Sequence, residues 1–307
     1  NILSGNCILF TGAGFSHGAR NINNTKLLNG SELAKKLNIA CGIEDEVTNL
    51  RVASELFIDE HGDFSLIELL RLEYSIKDIS ESHKIISSVP WKRVYTTNYD
   101  NIIEYGFKEN NKLIVPITLN DKIDQYKDKR ILCIHLNGYI SDLTPQTLLR
   151  NFKLTNTSYL TEDFVKSKWV DLFRSDLETS KNVVFIGFSL NDDLDLARII
   201  SSIRNKNKIF FIVSPTESTL NLKRLSKFGT VINLGIEKFS ENIKKIKEYF
   251  SPPELIENEL LSFTKNSINN LIPNIKDIDV YELFFKGNVK KDLITNSLIN
   301  SEKFNYY

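Results

Sequence analysis

The feature that most constrains this chain is a short apolar run that ends in closely spaced glycines. Cys7–Thr11 is apolar apart from its last residue and passes directly into Gly12-Ala13-Gly14-Phe15-Ser16. So short and apolar a run reads as a strand buried on both faces, the kind found in parallel sheets. Glycines at its end let backbone approach a diphosphate without a Cβ in the way. The pattern returns at Asn182–Gly187, read as a strand ending in a glycine and followed by Phe188-Ser189. Further strands are expected at Val94–Thr97, Leu113–Ile117, Ile131–Gly138, Lys208–Val213 and Val231–Leu234, with helical segments between them. Strands alternating with helices specify an α/β fold: a doubly wound, Rossmann-like parallel sheet. Such sheets bind ligands in the crevice outside the carboxyl ends of their strands.

Between the first two strands the spacing predicts helices over Ser31–Ala40, Glu46–Glu60, Ser65–Tyr74 and Ile79–Ser88. The third opens on Ser65-Leu66-Ile67-Glu68, a capping-box pattern. Residues 31–90 thus read as a helical insertion within a domain spanning 1–250. After Ser251-Pro252-Pro253 no strand pattern returns, and 251–307 reads as a helical extension or the start of a further domain. Thr161–Leu177 and Phe239–Phe250 read as amphipathic helices.

Thirty-nine basic residues balance 39 acidic ones in 307, so no global field favours nucleic acid or an anionic membrane surface. No apolar run reaches the roughly 20 residues that span a bilayer, and the opening residues do not read as a signal segment. Cys7, Cys41 and Cys133 are widely spaced, without the C-x-x-C pairs of a structural zinc site. A reducing, cytoplasmic setting and no bound metal are the expectations. Methionine is absent, and the chain is read as one that could continue past Tyr307.

Candidate functional residues sit where strands end. Asn98 and Asp100 follow Val94–Thr97; Asp100 is also placed to cap the next helix. His135 and Asn137 are two apart, so a strand running to Gly138 would point both to one face. Asp192 and Asp193 follow the Gly187 turn, where they would repel a phosphate, and read as helix caps. His17 and Arg20, in a polar loop beyond the first glycines, read as solvated residues within reach of a phosphate or ribose.

The four loops Gly12–Ser16, Thr96–Asp100, His135–Gly138 and Gly187–Ser189 resemble, in order and spacing, the SIR2-like NAD-binding domain. The likeness is to the bacterial branch of anti-phage defence proteins that degrade NAD, and it covers about residues 2–250. It implies that Gly12, Ala13 and Gly14 approach the diphosphate, with Phe15 and Ser16 near the nicotinamide ribose. It matches Asn98 to the active-site asparagine and Asp100 to the carboxylate after it. Gly187 and Ser189 match a second nucleotide-contacting turn, and Ser214 the contact with the adenosine half.

Two departures shape the expected activity. The paired C-x-x-C zinc module of deacylase sirtuins and their Pro-Asp-Phe-Arg segment are both missing, which argues against protein deacylation. The residue directly before Gly138, where the family carries its catalytic histidine, is Asn137. The expectation is therefore an NAD+ hydrolase in which His135 is the general base, Asn98 orients, and Asn137 supports or replaces the usual contact. NAD is then substrate rather than resident cofactor. Control by homo-oligomerisation or a protein activator is expected by analogy. The alternative is a non-catalytic module that senses NAD or an ADP-ribose derivative; a third reading, ADP-ribosyl transfer, needs an acceptor.

Overall fold

The computed structural model describes residues 2–43, 49–126, 131–150, 152–155, 158, 166–190 and 193–250. Its centre is a seven-stranded, wholly parallel sheet. The strands are β1 (Cys7–Thr11), β4 (Arg93–Thr96), β5 (Ile114–Thr118), β6 (Ile131–His135), β7 (Asn182–Ile186), β8 (Ile209–Val213) and β9 (Thr230–Asn233), in the spatial order β5-β6-β4-β1-β7-β8-β9. The chain builds one side of β1 and then crosses to β7 on the other, so the order reverses beside β1. That reversal opens the crevice in which such sheets hold ligands.

Alternation along the strands feeds two apolar layers. Cys7, Leu9, Val94 and Cys133 point to one, joined by Leu33, Leu37, Leu66, Leu70, Ile86 and Ile102. These come from α1 (Gly30–Ala40), α2 (Leu50–Tyr74), α3 (Glu81–Ser87) and α4 (Ile102–Glu109). Ile8, Phe10, Tyr95, Ile134, Phe185 and Phe211 point to the other, covered by Trp169, Phe173, Leu196 and Ile200. Those lie on α6 (Lys168–Thr179) and α7 (Leu194–Ser201); α5 (Pro145–Arg150), α8 (Thr219–Leu225) and α9 (Gly235–Phe250) complete the helices among the described residues. The doubly wound sheet is thus as the sequence predicts.

Three local expectations are corrected. The helices placed at Glu46–Glu60 and Ser65–Tyr74 abut without a connecting loop: α2 is broken only at Gly62, whose φ of 80° is outside the helical region. Ser65 caps nothing there, since its hydroxyl donates to His61 O one turn back. A two-stranded antiparallel sheet, β2 (Arg20–Asn21) with β3 (Ile76–Asp78), ties the segment after the first glycines to the helical insertion. Finally, β6 stops at His135, where its pairing with Thr96 ends. The expected helical extension, 251–307, Glu46–Thr48 of the helix expected over Glu46–Glu60, and Thr161–Val165 of the predicted amphipathic helix lie outside the described residues.

Candidate functional site

The loops after β1, β4, β6 and β7 converge on one cleft of about 1200 Å3. Its inner wall is a seam between two glycine turns. Gly12 N–H donates to Ile186 O at 3.0 Å, and Gly14 N–H to Gly187 O at 2.9 Å. A Cβ on Gly12 would lie 2.7 Å from Gly187 O, and one on Gly14 2.8 Å from Gly187 Cα. Gly187 has a φ of +63°, and a Cβ there would collide with Phe15 N. These glycines therefore let two turns of the protein meet. The N–H groups expected to face a diphosphate at Gly12 and Gly14 are spent on backbone carbonyls, and Phe15 N–H on Gly12 O.

Across from the seam, Asn98 is almost fully buried yet lines the cleft. Its Nδ2 donates to Gly12 O at 2.9 Å and to Ser16 Oγ at 3.0 Å. Gly12 O can only accept, which fixes the amide orientation. Both amide hydrogens are then used, and Oδ1 carries no protein hydrogen bond. Ser16 Oγ donates onward to Asp100 Oδ2 at 2.6 Å. Asp100 Oδ1 accepts from Ile102 N–H at the start of α4, the cap the sequence predicts. Burial raises the Asp100 carboxyl to about 6, against the lowering effect of the Ser16 hydrogen bond.

Of the residues singled out by sequence, Ala13, Gly14, Ser16, Asn98, Asp100, Asn137, Gly187 and Ser189 line this cleft. Four do not. Gly12 stands behind the seam. Phe15 is buried against His83, edge to face at 4.9 Å, rather than beside a ribose. Ser214 is exposed and bonds Thr216 Oγ1 at 2.9 Å.

His135 is the main correction. It is fully buried and absent from the cleft wall. Because β6 ends at this residue, its side chain and that of Asn137 do not share a strand face. Its Nδ1 lies 3.1 Å from Asn98 O, a carbonyl, so Nδ1 donates. Its Nε2 lies 3.0 Å from Glu104 Oε1 on α4 and 3.6 Å from Cys133 Sγ. Burial opposes its charge, but Glu104 outweighs that and raises the pKa. With Nδ1 on a carbonyl and Nε2 on a carboxylate, the surroundings favour the protonated ring, and neither nitrogen faces the cleft.

Lys153 escaped the sequence reading because it lies in the loop-rich stretch after Gly138, with no periodicity to single it out. It lines the cleft beside Asn137, its N–H bonded to Asn137 O at 2.9 Å. Its Nζ is 3.8 Å from Asp193 Oδ2, an ion pair without a hydrogen bond. Asp193 caps α7, as expected, through Oδ1 to Leu196 N–H; Asp192 lies outside the described residues. Arg20 belongs to β2 and is exposed, and both it and His17 line the cleft.

Comparison with known proteins finds a similarity over part of the chain. Residues 92–230 match the model of the SIR2-like domain. The matched segment holds Asn98, Asp100, His135, Asn137, Lys153, Gly187 and Asp193; the first glycine turn lies outside it and joins it through the seam. Curated relatives are the NAD(+) hydrolase ThsA of Acinetobacter baumannii, 28% identical over 201 residues (65% of this chain, 39% of the relative), and that of Bacillus cereus, 26% over 208 residues (66% and 41%). A third, from Enterococcus faecium, is 28% identical over 215 residues (66% and 41%). The chain spans about two fifths of the length of these relatives. A solved Sir2 enzyme aligns with 79% of this chain and 93% of its own, at 13% identity and a TM-score of 0.41. Among the described residues, no helix is long and apolar enough to cross a membrane.

Proposed function

We propose that this chain hydrolyses the nicotinamide–ribose bond of NAD+, giving nicotinamide and ADP-ribose. The similarity to curated NAD(+) hydrolases supports the reaction class. The observation that carries the reading is Asn98, whose two amide hydrogens are locked on Gly12 O and Ser16 Oγ so that Oδ1 is left to accept from a ligand. NAD is substrate.

As the C1′–N bond breaks, its electron pair goes to the pyridinium nitrogen, and neutral nicotinamide leaves. Positive charge builds on the ribose. The Asp100 carboxylate, ionised above about 6, stabilises that charge from the cleft wall. Water attaches to C1′ while donating one hydrogen bond to Asn98 Oδ1. Its other proton passes to Ser16 Oγ as the Ser16 proton moves to Asp100 Oδ2, along the 2.6 Å hydrogen bond. Asp100 and Ser16 thereby take the base role that the sequence assigned to His135. Asn137, an amide, binds and does not act as a base.

The wider role we propose is that of an NAD-depleting effector in anti-phage defence, kept in check by oligomerisation or a protein activator. A sensor of NAD or an ADP-ribose derivative is the second reading, and Asn137 before Gly138, with His135 outside the cleft, favours it. Purified protein given a fluorogenic NAD analogue, beside a thermal-shift measurement with NAD, separates the two. Hydrolysis that falls about 100-fold or more in Asn98→Ala, with an unchanged melting profile, supports the hydrolase. A stability shift without turnover, with and without candidate activators, selects the sensor.

A further inference from the structure

Away from the cleft, the helical insertion brings three metal-ligating side chains together. One ligand atom from each of Cys41, Glu60 and His61 lies within 4.8 Å of the other two. Cys41 closes α1, and Glu60 and His61 lie midway along α2. Successive residues of a helix point about 100° apart and do not ordinarily share a target. Here both converge on Cys41, and His61 is the residue directly before the break at Gly62.

The backbone behind these side chains is fixed. Ile43 N–H donates to Asn38 O at 2.9 Å and Gly42 N–H to Ile39 O at 3.1 Å, the paired bonds of a Schellman end, with Gly42 at a φ of +67°. They hold the turn that carries Cys41. Ala40 O, another carbonyl of that turn, accepts from His61 Nε2 at 3.2 Å. A carbonyl can only accept, so in the neutral ring Nε2 carries the hydrogen and the other nitrogen keeps the lone pair. A ring N–H on a backbone carbonyl is a common means of orienting a metal-binding histidine. The imidazole also packs on the buried Phe57 ring, 4.6 Å away between centroids.

The donor set selects the ion. A thiolate and an imidazole with one carboxylate suit zinc, whereas Ca2+ and Mg2+ take oxygen ligands. Three protein ligands leave a tetrahedral ion one position for water. Cys41 is half-buried, and the Glu60 and His61 side chains are 50% and 39% exposed, so an ion has a way in. A second trio, Glu104, Cys133 and His135, is as closely set. There Cys133 and His135 are fully buried, and Glu104 is already paired with His135. The expectation of no bound metal rested on missing C-x-x-C pairs; a site whose ligands come from two helices needs no such spacing.

We propose that Cys41, Glu60 and His61 form a zinc site that ties α1 to α2. The thiol gives its proton to water as the ion binds. Gly30 and Leu50, the first residues of the two helices, line the cleft. The ligands lie about three turns, or about 16 Å, further along each helix. The ion thus pins the outer ends of helices whose inner ends face the cleft, and the site stands whatever reaction the cleft performs. The test is calorimetric titration of Zn2+ into the full, tag-free chain after chelator treatment, with Co2+ as an optical probe that shows charge-transfer absorption when bound to a thiolate. Wild type should bind one Zn2+ and show the thiolate–cobalt band. Cys41→Ser should lose the band, and Cys41→Ser and His61→Ala should each weaken Zn2+ binding about tenfold or more. Glu60→Gln, at an exposed position, should weaken it too while leaving the melting of the chelator-treated protein unchanged. No binding by wild type, or binding unchanged in any of the three variants, overturns the site.

Discussion

The two walls of the cleft are anchored by the same kind of residue with its second nitrogen on opposite kinds of partner. On the glycine side, His83 Nε2 donates to Phe15 O at 2.7 Å, while its Nδ1 accepts from Ser80 N–H at 3.1 Å and from the Ser80 hydroxyl at 2.8 Å. On the asparagine side, His135 Nδ1 donates to Asn98 O, and Nε2 donates to Glu104. Both rings are fully buried. Each fixes the backbone of a turn that lines the cleft. The second nitrogen sets the direction: an N–H donor faces His83, whose pKa burial lowers, and a carboxylate faces His135, whose pKa is raised against burial. Complete burial and a carbonyl partner are therefore common to both and say nothing about protonation.

The largest test of this contrast is His135→Ala. It leaves the Glu104 carboxylate, only 14% exposed, without its cation. Uncompensated charge in such a position costs about 3–5 kcal/mol, measurable by urea denaturation. Adding Glu104→Ala should regain about half of that loss, because the stranded carboxylate goes too. A double variant no more stable than the single one would show that the ring acts by packing, not by charge.

His83→Ala is the matching experiment on the neutral side. It strands Phe15 O and Ser80 N–H but no charge, and the expected loss is about 2 kcal/mol. No partner deletion should rescue it. A loss as large as that of His135→Ala would remove the distinction between the walls.

Much of this architecture was legible in the sequence because strands buried on both faces write themselves as continuous apolar runs. Cys7–Thr11 was read to the residue, and the strand read as Asn182–Gly187 ends one residue earlier, at Ile186. What escaped depends on partners distant in sequence. The pairing of Arg20–Asn21 with Ile76–Asp78 spans too few residues to show a period. The end of β6 is set by where Thr96 stops pairing, so a parity argument carried past His135 put its ring on the wrong side. The glycines were recognised as a site where Cβ is excluded. That the excluded space is taken by another turn, rather than a phosphate, follows only from the meeting of Gly14 and Gly187. Asn98, Ser16 and Asp100 did converge, since each lies within five residues of the end of a buried strand, β4 or β1, and these strands are neighbours in the sheet.

The smallest effect is the most specific, because it reads charge alone. His135 has a raised pKa, chiefly because Glu104 overcomes the opposing effect of burial. The folded state holds its proton more tightly than the unfolded chain, so its stabilising contribution is complete below the ordinary value of 6.5 and is lost as pH rises through the folded value. His83 has a lowered pKa, from burial first. There the unfolded chain takes the proton more readily, so stability declines as pH falls below 6.5 and levels off below the folded value. The two residues thus tilt the stability profile in opposite senses: His135 removes stability toward alkaline pH, and His83 removes it toward acid. Urea midpoints measured from pH 5 to 9 should show the alkaline decline flattened in His135→Ala and the acid decline flattened in His83→Ala. If either variant flattens the other's flank, the protonation states assigned from the hydrogen bonds are reversed.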